Sequence, residues 1–301
     1  MKNKRFWKFL FSTIELLTIF ILIFISVILC IFFHSRSVPA GFAFSLVSTC
    51  LLGLLSAQKL YTRIEGAARR LANVSKTEKL RREFSANVSH ELKTPLTAIS
   101  GYAEMLENGM VKENDKIFFI KKIKDESARM AALIEDIMLL SRLDEKQDME
   151  TFENIDAAEL ARETVGKLKT KAEQHAVALY TNGSNMYIKA NYTMLAQFFF
   201  NLIDNAIKYN KPGGEVHIDI TRHTDRIYIS VADTGIGIPP EARDRVFERF
   251  YRVDKSRSKK TGGTGLGLAI VKHIAIIHNA EITLESREGL GTTVTAAFYA
   301  A

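Results

Sequence analysis

The sequence predicts a multi-domain chain: a transmembrane helical hairpin, an antiparallel two-helix hairpin forming a dimeric four-helix bundle, and an α+β two-layer sandwich. Three observations predict it. Long apolar runs crowd into the start of the chain, apolar residues then recur at helical spacing, and short alternating strands interleave with helices thereafter. These patterns divide the 301 residues into 1–58 (an N-terminal cytoplasmic tail and two spans), 59–80 (a membrane-proximal helical linker), 81–145 (the two-helix hairpin) and 150–301 (the sandwich).

The runs Phe9 to Phe33 and Val38 to Ala57 are each long enough to cross a bilayer, and the first is too long for the core of a secretory signal. Lys2, Lys4, Arg5 and Lys8 precede the first span, and Lys59, Arg63, Arg69 and Arg70 follow the second. This positive-inside bias puts both termini in the cytoplasm of a multi-pass protein of the cell membrane. The turn His34-Ser35-Arg36-Ser37 between the spans is too small for an external binding domain. Glu15 lies inside the first span, where it is neutral, interfacial or paired across a dimer. Cys30 and Cys50 both fall in apolar runs, with no disulfide or metal spacing. The formal charge of +7 is dispersed, flanking the spans and filling one loop near the C-terminal end. No basic face interleaved with aromatics accompanies it, so nucleic acid is excluded as a partner.

From about Gln58 to Leu106 the chain reads as one long helix, its first part, Leu60 to Leu80, suited to a parallel coiled coil or a plain spacer. Phe84, Val88, Leu92, Leu96 and Ile99 form one apolar stripe, and His90 points away from it. Glu91 is the next residue round, and Thr94 lies one turn on, on the face of His90. Pro95 removes the backbone donor to the Glu91 carbonyl and predicts a kink at the histidine. An exposed imidazole beside a carboxylate supplies a reachable nitrogen nucleophile and its base, which is what a phosphoacceptor needs. After an Asn108-Gly109 break, Lys116 to Leu143 forms a second helix with Ile120, Ile123, Met130, Leu133, Ile134, Ile137 and Leu140 on its buried face. Two amphipathic helices cannot close a core alone, so a homodimer is expected.

Beyond Asp144, Ile155 to Gln174 reads as a helix, Val177–Thr181 and Met186–Ala190 as strands, and Asn191–Tyr209 as a helix. Glu215–Thr221 pairs with Arg226–Ala232, and Glu281–Ser286 with Thr292–Phe298 close a mixed sheet covered on one face. Asn201, Asn205 and Lys208 recur at i, i+4 and i+7, a polar stripe suited to Mg2+ and phosphate or to a solvated face. Asp233-Thr234-Gly235-Ile236-Gly237-Ile238-Pro239 follows a strand; its glycines (Gly235 and Gly237) admit close backbone approach, and Asp233 can accept from an adenine amine. Gly262-Gly263-Thr264-Gly265-Leu266-Gly267-Leu268 opens a helix running to about Asn279, a fit cradle for phosphate. Neither glycine run matches the Walker A or the dinucleotide spacing.

In this order the motifs resemble those of sensor histidine kinases of bacterial two-component systems. Asn87-Val88-Ser89-His90-Glu91-Leu92-Lys93-Thr94-Pro95-Leu96 is similar to their phosphoacceptor box. Asn201–Asn210, Asp233–Pro239, Phe247-Glu248-Arg249-Phe250-Tyr251-Arg252 and Gly263–Gly267 resemble the nucleotide boxes of a catalytic domain shared with the ATPases of gyrase, MutL and a heat-shock chaperone. The resemblance covers about Leu80 to Ala301. It implies His90 as phosphoacceptor, Glu91 as its base and Thr94 as the residue that positions water in dephosphorylating a cognate response regulator. It implies Mg2+ on Asn205 with Asn201 nearby, adenine on Asp233, and phosphate on Lys208 and the loop Gly263, Thr264, Gly265, Leu266, Gly267. Tyr209 would wall the adenine pocket. The charged run from Arg252 to Lys260 would be a lid over the triphosphate, or else a solvated loop.

The ATPase relatives place a water-activating Glu where this chain has Asn201, so idle hydrolysis should be slow and transfer to His90 preferred. With so little chain between membrane and kinase, the stimulus is expected to be read in the membrane. The reader is the hairpin itself, or a sensor or transporter that grips it. A phosphatase-dominant regulator and an inactive membrane scaffold are the other function classes, the second disfavoured because no catalytic position is degraded.

Overall fold

A computed structural model describes residues 24, 27, 28, 31, 32, 53, 61, 62, 65, 78, 82–145, 151–254 and 263–301. Met1–Glu83 forms one compact unit and Phe84–Ala301 a second. In the first, Phe24, Val27, Ile28, Ile31, Phe32 and Gly53 are helical and exposed. Among the described residues no helix is long and apolar enough to cross a membrane. Both expected spans fall almost wholly outside those residues, as do Glu15, most of the 59–80 linker and the charged run from Lys255 to Lys260.

The second unit opens with helix α1 (residues 84–107), which continues through Pro95 and stops at the turn 108–109, where Gly109 takes φ +67°. A 3-10 turn, Glu113–Asp115, leads into α2, Lys116–Glu145. The apolar stripes of both helices are divided between two faces. Leu133, Leu140 and Leu143 are buried, and Leu92 packs against the same core. Leu96, Ile120 and Ile134, expected inside, stand exposed in the single chain, at 53%, 53% and 42%. The core side faces the sandwich, so the remaining apolar surface of the hairpin is left open.

The sandwich begins with β1 (Glu153–Asp156), antiparallel to β3 (Tyr187–Ala190). Ile155 therefore belongs to a strand, not to the following helix as expected. Helix α3 is Ala157–Gln174, started by Asp156, whose carboxylate accepts from the Ala158 and Glu159 N–H groups. The main sheet has the order β2-β4-β5-β7-β6, from β2 (Ala178–Asn182), β4 (Glu215–His223), β5 (Arg226–Asp233), β6 (Glu281–Arg287) and β7 (Gly291–Tyr299). Only β2–β4 is parallel. Alternation puts Val216, Ile218 and Ile220, Ile227, Ile229 and Val231, and Val294, Ala296 and Phe298 on the covered face.

Over that face lie α3, α4 (Tyr192–Lys208) and α5 (Gly267–Ile277). Asn191 caps α4 by accepting from the Met194 N–H. His278, just past α5, ties the two nucleotide-side helices together: Nδ1 bonds the Ile274 carbonyl at 2.8 Å, and Nε2 accepts from the Asn191 N–H at 3.2 Å. Those partners fix the neutral tautomer, and burial lowers the imidazole below its ordinary range. Helix α5 starts at Gly267, so the residues before it form an open loop rather than a first turn. That loop and the ends of α4 and β5 are where the predicted motifs meet.

Candidate functional site

Helix α4 is apolar except where it turns toward the glycine loop. Asn201 is buried; its Nδ2 donates to the Gln197 carbonyl at 2.9 Å, which turns Oδ1 to the loop. A Cβ on Gly267 would sit 2.9 Å from Asn201 Oδ1 and 3.3 Å from the Asn205 amide nitrogen. Asn201, Asn205 and Gly267 thus border one small recess. Lys208, one turn further, pairs with Asp204 at 2.6 Å, and Lys171 of α3 reaches the other oxygen of Asp204.

Asp233 closes β5. Its Oδ1 accepts from the Gly235 N–H at 2.8 Å. Burial pushes its carboxyl up from 3.8 to about 6, against the opposing pull of the Gly235 and Thr292 N–H groups. Ile236 N–H donates to the Tyr209 carbonyl at 3.0 Å, so the Asp233 loop and the end of α4 are stitched together. Gly237 takes φ +68°, and a side chain there would run into the Arg287 carbonyl. Gly263 lies against the Tyr209 hydroxyl, where a Cβ would come within 2.9 Å. Asn201, Asn205, Lys208, Tyr209, Asp233, Gly235, Gly237 and the Gly263–Gly267 loop are therefore gathered around one end of the sandwich.

His90 is exposed on α1, as its place opposite the apolar stripe requires. Thr94 Oγ1 donates to the His90 carbonyl at 3.2 Å, so its hydroxyl is spent on the helix. Arg252, the first residue of the charged run expected over the triphosphate, has a side chain only 6% exposed and lies 2.8 Å from the Glu91 carboxylate. Its Nε is buried with no hydrogen-bond partner among the described residues. The reason is local: Phe250, at φ +64°, donates its N–H to the Gly265 carbonyl and sets its ring 5.7 Å from Phe84. The segment after it is thereby led to α1.

Two further ties join the helical hairpin to the sandwich. Arg249 makes a two-pronged contact with Asp144, at 2.7 and 3.0 Å, and stacks over Phe84. Thr264, in the glycine loop, donates to Asp136 of α2 at 2.8 Å. Burial raises the Asp136 carboxyl, against the Thr264 hydroxyl and Lys208. Sequence reasoning missed Asp136, Asp144, Lys171 and Asp204. Of these only Asp204 had a local signal, a carboxylate inside an apolar helix with a lysine four residues on.

The recess suits a hard cation. Asn201 Oδ1 is oriented toward it, whereas Asn205 turns its amide nitrogen to Gly267 and would rotate its amide to offer oxygen. Among the described residues no group of three His, Cys, Asp or Glu could hold a metal, so a cation here would share its ligands with phosphate and water. The Asp233 carboxylate is a largely buried acceptor, and Lys208 brings an ammonium group to the same end of the sandwich.

A solvent-facing histidine helix and a sandwich with asparagine, aspartate and glycine boxes, packed in one unit, define the phosphotransfer core of a kinase. The comparisons agree. The family HisKA, His Kinase A (phospho-acceptor) domain, matches residues 80–146. HATPase_c, Histidine kinase-, DNA gyrase B-, and HSP90-like ATPase, matches residues 190–300. Sensor histidine kinase WalK of Bacillus subtilis is 39% identical over 79% of this chain and 40% of its own length. Sensor-like histidine kinase SenX3 of Mycolicibacterium smegmatis is 40% identical over 73% of this chain and 58% of its own. Full-length ShkA, solved in complex with AMPPNP, is 26% identical with a TM-score of 0.53, covering 72% of this chain and 46% of that one. The chain belongs to the sensor histidine kinases of two-component systems. It spans about half the length of the curated relatives it matches.

Proposed function

We propose that this chain is an ATP-dependent protein-histidine kinase that phosphorylates its own His90 and passes the phosphoryl group to an aspartate of a response regulator. The observation that carries the reading is the exposed His90 helix packed in the same unit as the Asn201, Asp233 and Gly263–Gly267 site. The nucleotide analogue on ShkA supports ATP as the donor.

In this reading Asp233 accepts from the adenine amine, and Tyr209 borders the base. Asn205, with Asn201 beside it, would hold Mg2+, which when bound neutralises phosphate charge. Lys208 and the glycine loop hold the phosphate oxygens. A ring nitrogen of His90 forms a bond to the γ-phosphorus while the bond to the β–γ bridging oxygen breaks, and ADP leaves. Glu91 takes the imidazole proton and so must first part from Arg252. Asn201 has no carboxylate with which to activate water, which favours transfer to His90 over hydrolysis.

The working division is 1–58 for the tail and two membrane spans, 59–80 for the linker, 81–145 for dimerisation and phosphotransfer, and 150–301 for ATP binding. The open apolar positions Leu96, Ile120 and Ile134 support a homodimer closing a four-helix bundle. Thr94, on the His90 face, supports phosphatase action on the regulator once its hydroxyl leaves the His90 carbonyl. The apolar runs and their charged flanks support placement in the cell membrane with both termini cytoplasmic. The stimulus would then be read by the hairpin or by a sensor or transporter bound to it.

The test is labelling by γ-radiolabelled ATP with Mg2+. Acid-labile, alkali-stable label on the wild type, absent from His90→Gln and Asn205→Ala, is expected. Label that survives in His90→Gln would give the acceptor role to another residue.

A further inference from the structure

We propose that Asp204 and Lys171 are positioning residues for the nucleotide's phosphates, Asp204 fixing the Lys208 ammonium and Lys171 setting the charge that the cluster presents. The inference rests on the ATP-site reading and adds to it Asp204, to which the motif reading gave no role, and Lys171, from outside every nucleotide motif.

The side chain of Asp204 is 8% exposed, in the middle of an apolar helix. A carboxylate so placed persists only when paired. It has two partners: Lys208 Nζ at 2.6 Å, one helical turn along, and Lys171 Nζ, brought across from α3. Two ammonium groups on one carboxylate leave the cluster at +1. With Lys208 alone it would be neutral and offer nothing to a polyphosphate.

The cluster also has the right neighbours. Lys208 shares its helix face with Asn201 and Asn205, and both Lys208 and Asp204 act electrostatically on Asp136. Asp136 in turn takes the hydroxyl of Thr264 in the glycine loop. Both lysines keep some solvent access, 19% and 34%, whereas Asp204 has almost none. The anion is thus the buried anchor, and the cations are the groups available to a ligand. A lysine has four side-chain torsions, so anchoring one end of Lys208 to a fixed carboxylate removes freedom that a phosphate contact would otherwise have to remove.

The test uses the full chain in detergent, with ATP and adenosine binding measured by calorimetry and autophosphorylation measured alongside. Lys171→Met is expected to weaken ATP about tenfold, the worth of one partly screened charge contact, while leaving adenosine within about twofold. Lys171→Arg should restore ATP affinity. Asp204→Asn loses the anchor but also the negative charge, so it should lower kcat about tenfold with KM within about threefold. Equal losses of ATP and adenosine in Lys171→Met would mean a purely structural pair and overturn the proposal, as would unchanged ATP affinity with a lowered melting midpoint. A wild-type chain that binds ATP without labelling His90 would sink only the kinase reading. One that binds no ATP would sink both.

Discussion

Replacing Asp233 by Asn should stabilise the chain and weaken its hold on ATP, and both effects should shrink together as pH falls through about 6. Burial raises the Asp233 carboxyl from 3.8 to about 6. At 1.36 kcal/mol per pH unit, keeping it ionised at neutral pH costs roughly 3 kcal/mol of stability. The sign follows from proton counts. Between 3.8 and about 6 the folded chain holds a proton that the unfolded chain has lost, so stability falls as pH rises through that window, and the whole cost is present above it. Asn removes the charge but offers its one amide oxygen to the Gly235 and Thr292 N–H groups, forfeiting about 1 kcal/mol. A net gain of about 1–2 kcal/mol at pH 7.5 remains, shrinking toward zero or below by pH 5. Urea unfolding followed by circular dichroism, on both proteins at both pH values, measures it. ATP affinity should fall about 10- to 100-fold in Asp233→Asn, the worth of a hydrogen bond to a charged group. In the wild type it should fall about tenfold per pH unit below about 6. A destabilised Asp233→Asn at pH 7.5, or the same pH dependence in both proteins, would refute the reasoning.

Gly267→Ala puts a methyl 2.9 Å from Asn201 Oδ1 and should cost at least about tenfold in Mg2+-dependent ATP binding with the fold retained, read by calorimetry and circular dichroism. Glu91→Gln should slow labelling of His90 by about 10²–10⁴ with ATP affinity unchanged, since it removes a base and not a nucleotide contact. His278, lowered by burial, must charge when the chain unfolds in acid, so the unfolded state binds more protons and stability falls as pH drops below 6.5. His278→Phe should lose that part of the acid slope, at a cost of about 1 kcal/mol at neutral pH for the lost Asn191–His278 hydrogen bond, read from urea midpoints.

The parts of the site that sit within one element were legible in the sequence. Asn201, Asn205 and Lys208 share a face because a helix repeats every 3.6 residues, and the hairpin of β4 and β5 announced itself by alternation. His90 was placed opposite the apolar stripe, and it is exposed. Ile155 was misassigned although a signal was present. Asp156 with Glu159 three residues on is a helix-start pattern that puts Ile155 outside the helix, where it pairs with Ile188 of β3. The cross-chain ties were not legible. Glu91 and Arg252, Asp136 and Thr264, and Asp144 and Arg249 are each separated by more than a hundred residues, and no periodicity reaches so far. Their consequence, an Arg252 turned to the phosphoacceptor helix, follows only from how the sandwich packs on α1 and α2.

The central claim is that phosphate from ATP ends on His90, and mapping that phosphate tests it most directly. The full chain, incubated with ATP and Mg2+ and digested at alkaline pH, should give a phosphorylated peptide in tandem mass spectrometry with the modification on His90. The other six histidines, His34, His175, His217, His223, His273 and His278, should be unmodified. A phosphoryl group on any of those six, or on a serine or threonine with His90 bare, would contradict the account.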